Sequence, residues 1–234
     1  MLHKVKDLQG DAIVAADGEI GAVNDLYFDD ERWAVRYIVV DTRRWIPGRK
    51  ILISPVNIDR EHPLEEGMHV HLTREQIKKC PDIEAHKPVS RQYEMAHARH
   101  FGYPYYWIGP DLWGPAPYPV SVQAAREKRA TSARAMQEHA EQERAANDSH
   151  LRSSSEVIGY GIEATDGEIG HVADLVMDDE TWAITDVLVD TRTWLPGKLV
   201  LVSPKVIERI DWPEKKVKLR LAREEIMSAP EVMI

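Results

Sequence analysis

Residues 16–34 read ADGEIGAVNDLYFDDERWA, and residues 165–183 read TDGEIGHVADLVMDDETWA. The strings lie 149 positions apart, and the correspondence runs without a gap from Gly10/Gly159 to Ile83/Val232. Of these 74 aligned pairs, 34 are identical. A repeat of this period is not a solenoid, which stacks several short adjacent units. Two copies of about 75 residues, separated by a stretch of similar length, describe two small domains. Domains of that size bury a limited fraction of their surface, so each copy is expected to lean on the other or on the intervening segment.

Within one copy the pattern is mostly strand. Asp17-Gly18 and Asp166-Gly167 are tight-turn pairs between β-compatible residues, which predicts a hairpin. Gly21, inside the stretch that follows, predicts a bend or bulge. Asp29-Asp30-Glu31 reads as a polar turn. Trp33 to Val40 (WAVRYIVV) is β-branched and aromatic, as a well-buried strand is. The loop Asp41 to Gly48 closes on Pro-Gly, Ile51-Leu52-Ile53 is a further strand stopped by Ser54-Pro55, and Met68 to Leu72 is another. Thr73-Arg74-Glu75-Gln76 matches a capping box and predicts a short helix. In the second copy Ala222 stands at the cap, so the box is broken there. The fold class expected is mainly β, with five or six short strands per copy rolled into a small closed or nearly closed barrel.

The expected division is a first barrel at 1–83, an arm and linker at 84–156, and a second barrel at 157–234. The first half of the middle is aromatic and rich in Gly and Pro, from His100 to Pro115. The second half, Val122 to Asn147, is rich in Ala, Glu, Arg and Gln, which are strong helix formers. It carries no apolar stripe and reads as a solvated helix or a partly disordered linker.

The chain of 234 residues is 43% hydrophobic and 29% charged, which excludes wholesale disorder. No apolar run reaches the roughly 18–20 residues of a membrane-spanning helix. The first residues lack the apolar core of a signal peptide, and the single cysteine, Cys80, allows no intrachain disulfide. The expected setting is cytoplasmic. A net charge of −9 argues against nucleic acid and against an anionic membrane surface as partners. That charge is uneven: residues 1–83 carry −3, residues 84–152 carry +1 and residues 153–234 carry −7.

Candidate chemistry is sparse. The repeated acidic positions, Asp17, Glu19, Asp25, Asp29, Asp30, Glu31 and Asp41 with their counterparts, could serve acid–base work or a divalent ion. Their places at predicted turns favour backbone capping instead. His69/His71 and His97/His100 share faces but match no firm metal spacing, and copy two has Lys218 and Arg220 where copy one has His69 and His71. No nucleophile elbow, phosphate loop or dinucleotide fingerprint occurs. Neither a cofactor nor an enzyme activity is expected. Arg43 and Trp45, with Arg192 and Trp194, fit either a recognition patch or a salt-bridged loop capping the barrel end. Tyr105, Tyr106, Trp107 and Trp113 fit either a partner-binding surface or an arm packed across the barrels.

The string DGEIG…D…DDE…W…DTRxWxPG…SP, present in both copies, resembles the PRC-barrel family over about two thirds of the chain. The stretch Pro88 to Trp107 is similar to segments of bacterial two-domain members. That family includes the cytoplasmic domain of the H subunit of photosynthetic reaction centres and a domain of a ribosome-maturation factor. The resemblance implies a small β-barrel used to dock proteins, with no catalytic residues. The expectation is a non-enzymatic adaptor whose two barrels pack about a pseudo-two-fold axis, with a protein partner or a second copy as its binding target. Its contacts would fall on Trp45, Trp194, Arg43, Arg192, Tyr105, Tyr106, Trp107 and Trp113. The alternatives are a metal- or small-ligand sensor, or an accessory factor of a photosynthetic or ribosomal complex.

Overall fold

The computed structural model describes residues 1–42, 49–64, 67–80, 89–120, 150–191 and 198–230. The chain is mainly β, with two sheets built on the two copies and a middle region whose described residues include a helix and an aromatic cluster. The first copy supplies β1 (Leu2–Lys4), α1 (Val5–Leu8), β2 (Ala12–Ala15), β3 (Gly18–Asp29), β4 (Ala34–Asp41), β5 (Lys50–Ile53), β6 (Met68–His69) and α2 (Arg74–Lys78). The middle supplies α3 (Arg91–Phe101). The second copy repeats the series with one added strand, β12, as β7 (Leu151–Ser153), α4 (Ser154–Val157), β8 (Gly161–Ala164), β9 (Gly167–Asp178), β10 (Ile184–Asp190), β11 (Leu199–Val202), β12 (Ile207–Asp211), β13 (Lys216–Leu219) and α5 (Arg223–Ser228).

The strand order is β5-β4-β3-β2-β6 in the first sheet and β11-β10-β9-β8-β13-β12 in the second. The hairpin predicted at Asp17-Gly18 is present, pairing β2 with β3. Gly21 is where β3 bends. It stands opposite Ile13 beside a register shift, with φ +150, and a Cβ there would overlap the Asp41 carbonyl oxygen on β4. Gly170 repeats this against Asp190 with φ +154. Only glycine allows such an approach between strand backbones. The bend lets one twelve-residue strand pair with β2 at one end and with β4 along the rest.

The predicted buried strand, β4, is covered along nearly its whole length. The capping box at Thr73 and Gln76 forms as expected. At Ala222 only its reciprocal half survives, with the Glu225 carboxylate accepting the Ala222 N–H at 2.8 Å. The acidic hairpin turns cap the same helices from outside: Asp17 accepts the Arg74 N–H, and Asp166 accepts the Arg223 N–H, each at 2.8 Å.

The two copies exchange their first strands. β1 of the first copy pairs with β9 of the second, and β7 of the second pairs with β3 of the first. The registers correspond residue for residue: Leu2 faces Asp178 as Leu151 faces Asp29. The repeat therefore reaches back to Leu2/Leu151, past the Gly10/Gly159 limit legible in the sequence. Each sheet's long strand is covered on an edge by the other copy, which removes an open edge of the kind that invites aggregation.

Candidate functional site

The turn after each long strand builds both faces of the site. Asp29 accepts the N–H groups of Glu31 and Arg32 at 2.9 and 3.2 Å, and the Trp33 N–H returns to the Asp29 carbonyl at 2.8 Å. This winds Trp33 into the left-handed region at φ 52. Trp182, its counterpart, lies at φ 58. A bulky side chain there is an outlier that the surroundings must hold in place. Here the partner copy does so: the Trp33 carbonyl accepts the Ile184 N–H at 2.7 Å, and the Trp182 carbonyl accepts the Val35 N–H at 2.8 Å. Each turn is thus pinned against the opposite sheet, and a groove runs beside each junction.

The groove between the Trp182 turn and the first sheet is filled by residues 103–120. Arg36, fully buried on β4, organises the filling. One guanidinium nitrogen binds the Asp29 carboxylate at 3.0 Å and another donates to the Leu112 carbonyl at 2.8 Å. The plane is flanked by the Tyr106 ring at 4.1 Å and the Trp113 ring at 4.9 Å. A buried guanidinium needs both its carboxylate and aromatic faces to offset lost hydration. The Trp113 indole N–H donates to the Thr181 carbonyl at 2.7 Å. Arg60 reaches the Pro119 carbonyl at 2.8 Å, and Arg32 reaches that of Asp111 at 2.6 Å. Arginine forks capture the backbone of the arm, while its aromatic rings fill the groove.

Helix α3 braces the arm from behind. It begins on Ser90, whose hydroxyl accepts the Tyr93 N–H, and ends on Gly102 in the left-handed conformation. Glu94 on this helix is fully buried, accepting the Tyr106 hydroxyl at 2.5 Å and Arg91 at 2.9 Å. Burial raises its carboxyl to about 7, against the opposing pull of Arg91 and of the Tyr106 hydrogen bond. His97, one turn on, donates from Nε2 to the Leu52 carbonyl at 2.9 Å and packs among Tyr37, Phe101 and Tyr103. Burial lowers it to about 4.

The second groove, between the Trp33 turn and the second sheet, is an open cleft of about 900 Å³. Its walls include Trp33, Ile184, Lys205, Arg209, Trp212 and Arg220. Arg152 lies over the Trp212 ring at 4.7 Å and pairs with Asp30 at 2.8 Å. The contrast between the twin tryptophans measures the difference between the grooves: Trp182 is 1% exposed, while Trp33 is half-buried.

Of the residues singled out in the sequence, Arg43, Trp45, Arg192 and Trp194 lie outside the described residues. Tyr106 and Trp113 are buried in the filled groove. Tyr105 and Trp107 stack on each other at its rim at 4.8 Å, with Arg91 over Trp107 at 4.2 Å. The helical reading of 122–147 also falls outside the described residues, and α3, in the first half of the middle, runs into the start of the aromatic stretch. Among the described residues no three His, Cys, Asp or Glu side chains converge as a metal site. No helix among them is long and apolar enough to cross a membrane. Sequence reasoning missed Arg36, Arg60 and Trp33. For Arg36 a signal existed, since a cation inside an otherwise apolar strand must find a partner.

The family model of the PRC-barrel domain matches residues 2–71, which include β1 to β6. The sheet near the C-terminus repeats that arrangement. A search of curated proteins finds no match to the chain.

Proposed function

We propose that the PRC-barrel domain and the sheet that repeats it form a rigid, non-enzymatic scaffold for docking another protein. The observation that carries this reading is the filled groove. One face of the scaffold already holds an irregular, turn-rich aromatic segment, with its backbone on arginine forks and its rings against a buried guanidinium. Those are the means by which interfaces hold peptides, with aromatic and Arg anchors at the centre. The twin cleft offers the same template to solvent. Glu94 and His97, two of the buried titratable groups, are enclosed by the arm and its neighbours, Glu94 on the Tyr106 hydroxyl and His97 on the Leu52 carbonyl. Affinity capture with the full chain as bait tests the reading. Recovery of a stoichiometric protein partner is expected, and recovery of none would remove docking as the function.

A further inference from the structure

The two grooves are built on one template and differ at a handful of positions. Ser203, Pro204 and Arg209 repeat Ser54, Pro55 and Arg60. Lys205 stands where the filled groove has Val56, Arg220 where it has His71, and Arg152 where it has His3. Trp212 replaces Pro63, and Thr185 replaces Arg36. Asp30, Glu31 and Glu208 also line the open cleft, but its cations outnumber them, so it is more basic than its twin, and it gains an aromatic wall. Lys205 and Arg220 are exposed there, and neither makes an ion pair among the described residues. The second copy is otherwise strongly acidic, so these cations stand out against the charge of their own domain.

We propose that the open cleft beside Trp33 binds an irregular, acidic, aromatic-bearing segment of a partner protein. This rests on the docking reading and specifies its ligand. The occupied twin supplies the shape: an irregular segment with rings inserted in the groove and carbonyls on arginine forks. Trp33 and Trp212 supply ring contacts, and Arg209, the counterpart of Arg60, lines the cleft with its guanidinium on the Asp211 carboxylate at 3.3 Å. Lys205 and Arg220 supply the preference for carboxylates. A second copy's arm is a poorer occupant. The Tyr106 and Trp113 rings pack on a buried guanidinium, and the cleft has Thr185 in its place.

The test uses the full chain and labelled synthetic peptides in which Tyr, Trp and Pro are interleaved with Asp and Glu. Control peptides carry Asn and Gln, or Lys, at the acidic positions. Binding is read by fluorescence anisotropy against wild type and a Lys205→Glu/Arg220→Glu double variant. Both substituted residues are exposed, and circular dichroism melting checks that the variant is folded. The acidic peptide is expected to bind about tenfold more tightly than the neutral one and to lose about tenfold in the variant or on raising salt. Equal binding of acidic and neutral peptides, equal binding to the variant, or no binding would overturn the proposal. So would concentration-dependent self-association that the variant abolishes, since the occupant would then be a second copy. If the variant still captures the same partner protein as wild type, the cleft assignment falls while docking stands.

Discussion

Ala34 and Ala183 face each other in an antiparallel bridge, and each is the other's counterpart in the repeat. A residue can pair with its own counterpart only where a two-fold relation between the copies passes between them. The bonds on either side, Val35 to Trp182 and Ile184 to Trp33, exchange under the same operation. So do the swapped strands β1 and β7. Identical subunits build isologous interfaces in this way, and here both halves belong to one chain.

This reciprocity makes the two sheets one folding unit. Neither copy owns all the strands of its sheet, so neither unfolds without exposing an edge of the other. Differential scanning calorimetry is expected to show one transition with equal calorimetric and van't Hoff enthalpies. Two resolved transitions would show that the exchanged strands contribute little coupling.

Gly21→Ala and Gly170→Ala are each expected to destabilise the fold by about 2–3 kcal/mol. The added Cβ meets a neighbouring carbonyl, and the backbone sits at a positive φ that L side chains rarely adopt. Urea unfolding measures this. Gly10, also at positive φ but with open space around it, is the control: Gly10→Ala is expected to cost less.

Asp25 and Asp174 are counterparts with unequal duties. Asp25 accepts the hydroxyls of Ser153, Ser154 and Ser155 and the N–H groups of Leu26 and Ser155. Asp174 accepts only the N–H groups of Lys6 and Leu175 among the described residues, and burial raises its carboxyl. Asp25→Ala is expected to cost about 3 kcal/mol and Asp174→Ala about 1 kcal/mol. Equal losses in chemical denaturation would show that the serine cluster adds nothing.

Arg36→Ala leaves Asp29 buried without its ion pair and empties the space between Tyr106 and Trp113. A loss of about 3–5 kcal/mol is expected, together with protease cleavage within 103–120 that wild type resists. Arg36→Lys keeps the charge but not the fork, and is expected to fall between the two. Unchanged protease resistance in Arg36→Ala would show that the arm is held by other contacts.

Glu94 and His97 should give opposite pH slopes. Glu94 rises to about 7 on folding from an ordinary value of 4.5. The folded state therefore holds the proton that the unfolded state loses, and stability falls as pH rises through that interval. His97 falls from 6.5 to about 4. The unfolded state binds that proton first, so stability falls as pH drops through that interval. The two slopes offset each other in wild type. Glu94→Gln is expected to leave a melting temperature that rises with pH between 4 and 6.5, and His97→Gln one that falls between 4.5 and 7. Parallel profiles in the two variants would contradict this.

The repeated DGEIG and DDExW strings determined the two copies, the hairpins, the bent long strands and the buried β4, because turn chemistry and strand patterning act over a few neighbouring residues. They also marked the acidic positions as turn formers, which Asp17, Asp29 and Asp166 are, whereas Glu19, Asp25 and Asp41 lie within strands. Tertiary structure alone decided the rest. Leu2–Lys4 and Leu151–Ser153 share little sequence, and their exchange depends on edges offered by residues far along the chain. Whether Tyr106 and Trp113 face solvent or a buried Arg36 is likewise set by which surface they meet. The two grooves arise from one repeated sequence. One is filled and the other open because the single arm can occupy only one of them, and a guanidinium stands in that groove where threonine stands in the other.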